Sequence, residues 1–344
     1  MMRNGKCIVS FACAIIVAAC TSKSVDIDTI SIDCEHPTTY CLDDENCIRL
    51  TRDTPMGMIV DCHFTDDSFI LRDYTSISSF DNKSGKYLTS YSGIGRAEHE
   101  VQNIAETLVK DDQLLIFDNF SRKVVRYSLD GVFIGKEDVG GSSTKSFQFL
   151  CPYIDGTFLG RRVFGVGEIP EISVFDSKFE WVNDIETPFL KSGSFFHNPL
   201  VAIWDGRVLY NQYFNNTVYY VEDDGSLSKA FSVDFGRHNI PESLLELPEY
   251  EIIQNVNNSI RDYATLISNI YESKKYLCFT FLMNPGKRCF YCLSKADGED
   301  GVFLFNGDDM TIDLIRVHDD KVYLFAQQDE DTLVHSIDCS ELVR

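Results

Sequence analysis

Short stretches of alternating apolar and polar residues run along most of the chain, as is typical of half-buried β-strands. Turns rich in Asp and Gly separate these stretches. The clearest unit covers residues 111–135, with strands at 113–118 and 123–128, a turn at Asp130-Gly131, and a last strand at 132–135. Its opening turn returns roughly every 45 residues, with one longer interval. The copies are Asp66-Asp67, Asp111-Asp112, Asp155-Gly156, Asp205-Gly206, Ser273-Lys274 and Asp319-Asp320.

This repeat predicts an all-β fold, a six-bladed β-propeller in which each unit forms one four-stranded blade. The sixth copy ends before a fourth strand, whereas the stretch 47–50 precedes the first copy and has no partner there. An N-terminal strand that completes the last blade would account for both and would remove an open sheet edge. A β-sandwich is a less favoured alternative because it would not repeat so regularly.

A small helical insertion explains the longer interval, at about residues 237–262. Asn239 and Pro241 are suited to the start of a helix, and Pro248 opens a second one. Ile252, Ile253, Val256 and Ile260 then recur at helical spacing. We expect two short helices packed on one face of the propeller.

The N-terminus predicts export. Arg3 and Lys6 precede an apolar run at 8–19, which is too short to span a bilayer and ends in Val17-Ala18-Ala19-Cys20. This layout is that of a signal peptide with a lipobox, in which Cys20 receives the lipid. An ordinary signal peptide with an incidental cysteine is the alternative. The predicted organisation is a signal peptide at 1–19, a tether and lead-in at 20–45, and the propeller at 46–344, in a lipoprotein of the cell envelope, anchored in the outer membrane.

Charge narrows the range of partners. The full chain carries a net charge of -22, and removal of residues 1–19 takes away two positive charges, which gives -24. Phosphate backbones would be repelled, so nucleic acid is not an expected partner. The expected partners are the membrane, through Cys20, and a glycan, peptide or envelope protein.

The cysteines indicate less clearly whether the protein contains disulfides or a metal site. Nine cysteines remain if Cys20 is lipidated, and an odd number cannot all pair. In a chain long enough to bury a large core, most should be buried thiols. The cluster most suited to a disulfide comprises Cys34, Cys41, Cys47 and Cys62. Cys289-x-x-Cys292 falls on a predicted strand, where positions three apart point to opposite faces, so no metal and no cofactor is expected.

Several segments resemble a known group, the six-bladed β-propeller lipoproteins of Bacteroidetes, which are related to NHL-repeat propellers. The similar segments are 48–50, 54–59, 80–88 and 268–277. Where that group has Gly-x-Gly-Pro-Gly-Glu after its first blade, this chain reads Gly-Ile-Gly-Arg-Ala-Glu at 93–98. The resemblance covers nearly all of the mature chain. It implies export and a propeller but no settled activity, since one fold hosts many functions.

Loop lengths indicate where a ligand would bind. The connections between the second and third strands, and between blades, are long and share one face, here called the long-loop face; the other, short-turn face carries the hairpins. Candidate ligand contacts on the long-loop face are Arg161, Arg162, Phe195, His197, Tyr213, Phe214, Arg237 and His238.

Two function classes follow from the sequence. The first is a binding or assembly module without catalysis. The second is an NHL-like channel enzyme, a lyase or lactonase, including metal-dependent forms. The side chains that the predicted first strands would point into the channel differ in type from blade to blade. A metal centre needs several similar ligands at one depth, so this mixture favours binding. These groups are Asp61, His63, Glu106, Asn269, Asp313 and Arg316. No catalytic residue is assigned.

We predict that Cys20→Ala releases the protein from the membrane without altering its fold, because the sequence has no other apolar run that could serve as an anchor. Fractionation of cells that express the variant, beside the wild type, measures this. A variant that stays in the membrane pellet would contradict the lipobox interpretation.

Overall fold

The structure is a computed structural model and describes residues 27–43, 46–139, 149–161, 172–187, 200–259, 262–283, 286–307 and 309–343. Its strands form six separate sheets arranged as the blades of a β-propeller. The all-β prediction with six blades is therefore confirmed.

Three short strands come first: β1 (Thr29–Ser31), β2 (Thr38–Cys41) and β3 (Cys47–Leu50). The blades follow in chain order, each numbered from the channel outward. Their strands are β4 (Asp61–Phe64), β5 (Ser68–Arg72), β6 (Ser76–Asp81) and β7 (Tyr87–Gly93) in blade one; β8 (Glu106–Lys110), β9 (Gln113–Asp118), β10 (Lys123–Ser128) and β11 (Phe133–Asp138) in blade two; β12 (Phe149–Pro152), β13 (Phe158–Arg161), β14 (Ile172–Phe175) and β15 (Trp181–Ile185) in blade three; β16 (Val201–Ala202), β17 (Val208–Asn211), β18 (Thr217–Val221) and β19 (Leu227–Asp234) in blade four; β20 (Ala264–Glu272), β21 (Tyr276–Met283), β22 (Lys287–Ser294) and β23 (Asp300–Asn306) in blade five; and β24 (Thr311–His318), β25 (Lys321–Gln328) and β26 (Asp331–Asp338) in blade six.

Acidic turns make the hairpins possible. Asp111 and Asp112, and likewise Asp319 and Asp320, all have positive φ angles between 49° and 59°. Two consecutive left-handed residues give a turn whose twist matches that of the flanking strands, and Asp tolerates this conformation better than most residues. These two acidic pairs are thus explained by backbone geometry.

Apolar residues fill the spaces between neighbouring blades. Between blades six and one, for example, Leu314 and Phe325 pack with Cys62, Phe69 and Leu71. A comparable buried cluster lies at each of the other five blade interfaces. Face-to-face packing of twisted sheets is therefore what holds the ring together, at roughly 25 cal/mol for each Å² of apolar surface buried.

The ring closes as the sequence predicts. β3 pairs antiparallel with β26, so that Ile48 lies opposite Val334 and Leu50 opposite Thr332. Leu50 is buried with the apolar residues between blades six and one. Blade six thus gains its fourth strand from the N-terminal side of the chain.

The lead-in also carries structure. β1 adds to the outer edge of blade four and β2 to that of blade five, both in parallel. Ile30 and Ile32 are buried with the core between blades four and five. The segment from residue 29 onward therefore does more than tether the propeller, since it covers two sheet edges before it closes the third.

The insertion holds two helices, α1 (Glu242–Leu245) and α2 (Glu249–Asn257). Ile252 and Val256 pack with Ile240 and Tyr263 in a small core of their own. The expected cap, Asn239, does not cap α1; Pro241 occupies that position, and the Asn239 side chain instead accepts a hydrogen bond from the Phe235 amide at 3.0 Å. Ile260 lies outside the described residues.

A last helix, α3 (Cys339–Leu342), follows blade six. In the part of the chain that the structure describes, no helix is both long and apolar enough to cross a lipid bilayer.

We predict that a chain starting at residue 52, which lacks β1 to β3, melts at least about 10 °C below the mature protein, because blade six loses its outer strand. A chain starting at residue 46 keeps β3, so its melting temperature should fall less. A chain starting at residue 27 should melt like the mature protein. Thermal unfolding of the three chains is the measurement. Equal melting temperatures for the chains starting at 52 and 27 would contradict ring closure by β3.

Candidate functional site: the central channel

The innermost strand of each blade faces a shared central channel. A cavity of about 580 Å³ occupies it and is lined by residues of β4, β8, β12, β16, β20 and β24. This volume falls within the range of small-molecule sites. The channel is thus a cavity that every blade helps to build.

Strand direction concentrates polar groups at one end of this cavity. Each inner strand begins, and each second strand ends, at the long-loop face. Asp61 and Glu106 are the first residues of their inner strands, and Arg72 and Asn211 are the last residues of β5 and β17. All four line the cavity.

Asp61 is the centre of a buried network. Its carboxylate accepts hydrogen bonds from Arg316 Nη2 at 2.9 Å and from Thr107 Oγ1 at 3.2 Å. His63 Nε2 lies 3.4 Å and Arg72 Nη2 3.9 Å from the same carboxylate. The network joins blades six, one and two, and its central ion pair spans the seam where the ring closes.

Arg316 reaches blade five as well, where it donates to Asn269 Oδ1. Asn269 in turn donates to Thr280 Oγ1 at 3.2 Å, and its backbone is left-handed, with φ of 48°. Leu266, three residues earlier, has φ of 56°, and the β20–β21 register shifts on both sides of Ser268. Non-glycine residues held in this region cost free energy and often mark functional positions.

The charges set the protonation state of Asp61. Burial alone would raise its pKa, but His63, Arg316 and Arg72 outweigh burial and hold the pKa well below its ordinary value of 3.8. Asp61 is therefore ionised and already supplied with cations and hydrogen-bond donors.

Glu106 has the opposite environment. Burial, and next the negative charge of Asp61, raise its pKa from 4.5 to about 7, although Arg72 acts against this. The residue is only 8% exposed, and within the described part of the chain its carboxylate accepts one hydrogen bond, from the Thr107 amide at 3.1 Å. Among the described residues, no cation lies within ion-pair distance of it. Glu106 is thus a carboxyl in the channel whose raised pKa keeps a large protonated fraction at neutral pH, with capacity to bind something else.

The short-turn end of the channel is aromatic. Trp204 is 51% exposed there, and Lys274 Nζ lies 5.0 Å from its ring centroid. The His318 ring stacks on Phe64, with centroids 4.5 Å apart and planes 3° from parallel. Trp204 and His318 both line the cavity, so the cavity extends from the polar long-loop end to solvent at this face.

The structure describes only some of the predicted ligand contacts on the long-loop face. Arg162, Phe195 and His197 lie outside the described residues. Arg161 is buried rather than on the rim, with its guanidinium carbon 4.9 Å from the centroid of the Tyr210 ring. These contacts stay predictions, because nothing bound to the face tests them.

Of the other four, Arg237 and His238 begin the helical insertion, and Tyr213 and Phe214 lie in the connection between β17 and β18. The rings of Tyr213 and Phe214 meet edge-on at 4.6 Å, and Phe214 packs against the small core of the insertion. His238 Nδ1 lies 2.5 Å from the Asp262 carbonyl oxygen, and Arg237 forms an exposed ion pair with Glu35 at 2.9 Å. The structure thus brings these four residues to one side of the long-loop face.

Of the six inner-strand groups that the sequence offers, five converge in the cavity: Asp61, His63, Glu106, Asn269 and Arg316. Asp313 serves another purpose, since it accepts from the Ile59 amide at 2.9 Å and from Gln327 Nε2 at 3.1 Å. Sequence reasoning missed Arg72 and Thr107. Arg72 is the last residue of a second strand, β5. Only that position, at the long-loop end of the blade, could have indicated that its side chain reaches the channel.

The cysteines correct one expectation. None of the nine described cysteines is in a disulfide, and the four suited by sequence to a bridge are spread over different blades. Cys41 lies on the outer edge of blade five, Cys47 on blade six and Cys62 on the inner strand of blade one. Cys289 and Cys292 do point to opposite faces of β22, one toward blade four and the other toward blade six.

Comparison with known proteins supports the fold. A family model described as "Domain of unknown function (DUF4934)" matches residues 51–341. A protein named as exported, from Bacteroides fragilis, is 15% identical with a TM-score of 0.68, over 88% of this chain and 88% of that one. A member of the DUF4221 family from Bacteroides vulgatus is 11% identical with a TM-score of 0.56, over 85% of this chain and 96% of that one.

A streptogramin B lyase is a weaker match, 11% identical with a TM-score of 0.46, over 85% of this chain and 87% of that one. A likeness of that strength carries no argument about activity. No match to a curated protein was found. At these sequence identities, the solved structures support the propeller fold alone.

Proposed function

The chain belongs to the DUF4934 family, and we propose that it is an exported, lipid-anchored binding module of the cell envelope that recognises a hydroxyl-rich ligand, such as a glycan, in its channel. Export and the anchor rest on the signal-peptide layout and on Cys20. The ligand approaches from the long-loop face, where the polar groups of the channel are gathered.

The observation that carries this proposal is the state of Glu106. A buried polar group without adequate partners costs free energy, yet this carboxyl faces a cavity with one hydrogen bond from a neighbouring amide. When protonated, a carboxyl both donates and accepts hydrogen bonds. A sugar hydroxyl does the same, so the two groups are complementary.

Surrounding charge argues against other small ligands. A ligand amine would meet the guanidinium groups of Arg72 and Arg316 beside Asp61. A ligand carboxylate would have to compete with Asp61 for Arg316, and with the Ile104 and Ala105 carbonyl oxygens for Nη1 of Arg72. A neutral polar ligand avoids both costs, and an exposed Trp204 at the far end of the cavity offers a ring on which a sugar face can pack.

A channel enzyme of the lyase or lactonase type is the second candidate, because Asp61 and Glu106 have pKa values pushed in opposite directions. That separation is how paired carboxyls take on different roles in acid–base catalysis. Within the described residues, the channel has no three His, Cys, Asp or Glu side chains positioned around one ion, so a metal-dependent form of this candidate has no ligand set there.

The test is binding of the mature chain carrying Cys20→Ala to glycan and peptide arrays, followed by titration of the best ligand. We expect a glycan, with Glu106→Ala weakening it about tenfold or more and Glu106→Gln weakening it less, since the amide keeps one donor and one acceptor. Glu137→Gln, a carboxyl change on the outer strand β11, is the matched control.

Unchanged affinity in Glu106→Ala, with loss of affinity in Arg237→Ala, would place the ligand on the outer loops instead of in the channel. Binding only to peptides would contradict the ligand class. Cleavage of the bound ligand, abolished by Glu106→Gln, would favour the enzyme.

A further inference from the structure

Three cysteine sulfurs meet inside the seam between blades five and six. Cys278 Sγ lies 3.3 Å from Cys292 Sγ and 4.0 Å from Cys339 Sγ, and the three sulfurs all lie within 4.8 Å of one another. Cys278 and Cys292 are cross-strand partners of β21 and β22. Cys339, the first residue of α3, arrives from beyond blade six.

This spacing suits a shared metal ion. Thiolate sulfurs bind soft metals at about 2.3 Å, so three sulfurs around one ion lie roughly 3.8 to 4.0 Å apart. The Cys278–Cys339 separation lies at the upper end of that range and the Cys278–Cys292 separation about half an ångström below it, a difference that small rotations of the side chains would remove. A disulfide, by contrast, would engage two sulfurs and leave the third without a role.

The surroundings favour a soft ion. All three cysteines are fully buried, at 0% exposure, and their neighbours are apolar, among them Phe290, Ile315 and Leu324. Hard cations need oxygen ligands and water, whereas thiolates select Cu(I) and Zn(II). Within the described part of the chain, these three residues are the whole candidate ligand set.

We propose that Cys278, Cys292 and Cys339 form a trithiolate site for a soft metal ion, with Cu(I) as the preferred occupant. Zn(II) is almost always four-coordinate in structural sites and would lack a fourth ligand here. As the ion binds, each ligating thiol releases its proton to solvent.

The site would fasten the C-terminal end of the chain to blade five. Cys339 already donates its amide to the Asp320 carbonyl oxygen at 2.9 Å, and the metal would add a bond between α3 and the sheet of β21 and β22.

The experiment loads the reduced mature chain carrying Cys20→Ala with Cu(I), and separately with Zn(II), then removes loosely held ion with a weak chelator. We expect close to one Cu(I) per chain, a coordination shell of sulfur at about 2.3 Å by X-ray absorption, and a higher melting temperature in the loaded protein. Retention of one Zn(II) through the same sulfurs would support the trithiolate site as well.

Cys339→Ala should abolish stoichiometric retention and the rise in melting temperature, and since it alters only the terminal helix, its apo form should remain folded by circular dichroism. Cys278→Ala should behave in the same way. Cys289→Ala is the matched control, a buried cysteine on the opposite face of β22 that should retain the ion.

Full retention in Cys339→Ala, or no retention in the wild type, would overturn the proposal. So would a Cys278–Cys292 disulfide in the isolated protein, detected by thiol alkylation and mass spectrometry, if the protein binds neither ion after reduction. None of these outcomes bears on Glu106, so ligand binding in the channel is tested separately.

Discussion

Pairing of β3 with β26 is the constraint on which the rest of this structure depends. A propeller whose last blade lacked its outer strand would expose the edge of β26 and weaken the packing between blades six and one. Four residues, Cys47–Leu50, close that gap. Because the segment before them runs along blades four and five as β1 and β2, closure also fixes the path of the N-terminal chain around the outside of the molecule.

Closure has an electrostatic consequence at the centre. Bringing blade six against blade one puts Arg316 beside Asp61, although the two are 255 residues apart in sequence. Removing one partner of a buried ion pair leaves the other uncompensated, which typically costs about 3 to 5 kcal/mol. Burial, and next the negative charge of Asp61, make ionisation of Glu106 unfavourable and raise its pKa to about 7. The same packing that builds the ring thus leaves one carboxyl with a raised pKa facing the cavity.

Much of the fold could be predicted from sequence because it repeats. Acidic turns fix the hairpins locally, as Asp111 and Asp112 show, and a period of about 45 residues reveals the blades without knowledge of their contacts. Even the closing strand could be predicted, since the last repeat lacks a fourth strand and the stretch 47–50 is a strand without a repeat of its own. The edge strands β1 and β2 were beyond this reasoning because each has only three or four residues and no repeated partner.

The site was harder to predict. The sequence yields Asp61, His63, Glu106, Asn269 and Arg316 as inner-strand residues, but not which of them touch. Their contact depends on the depth at which each strand enters the channel, and the register shifts around Ser268 change that depth in blade five. Likewise, the spacing of Cys289-x-x-Cys292 gives no indication of the cysteine cluster, because the two residues point to opposite faces of β22. The partners of Cys292 are Cys278 across the sheet and Cys339 from beyond the last blade, and no short motif records that arrangement.

Protonation of Glu106 is measured most directly by the unfolding free energy of the wild type and of Glu106→Gln between pH 4 and pH 8. A glutamate whose pKa rises from 4.5 to about 7 on folding binds its proton more tightly in the folded state, so its contribution is present below pH 4.5 and is lost as the pH rises toward 7. Relative to Glu106→Gln, the wild type should therefore lose stability on the order of 3 kcal/mol across that range and no more above it. A difference between the two proteins that stays constant with pH would show that Glu106 is ionised like an ordinary surface glutamate, and would contradict the proposed site.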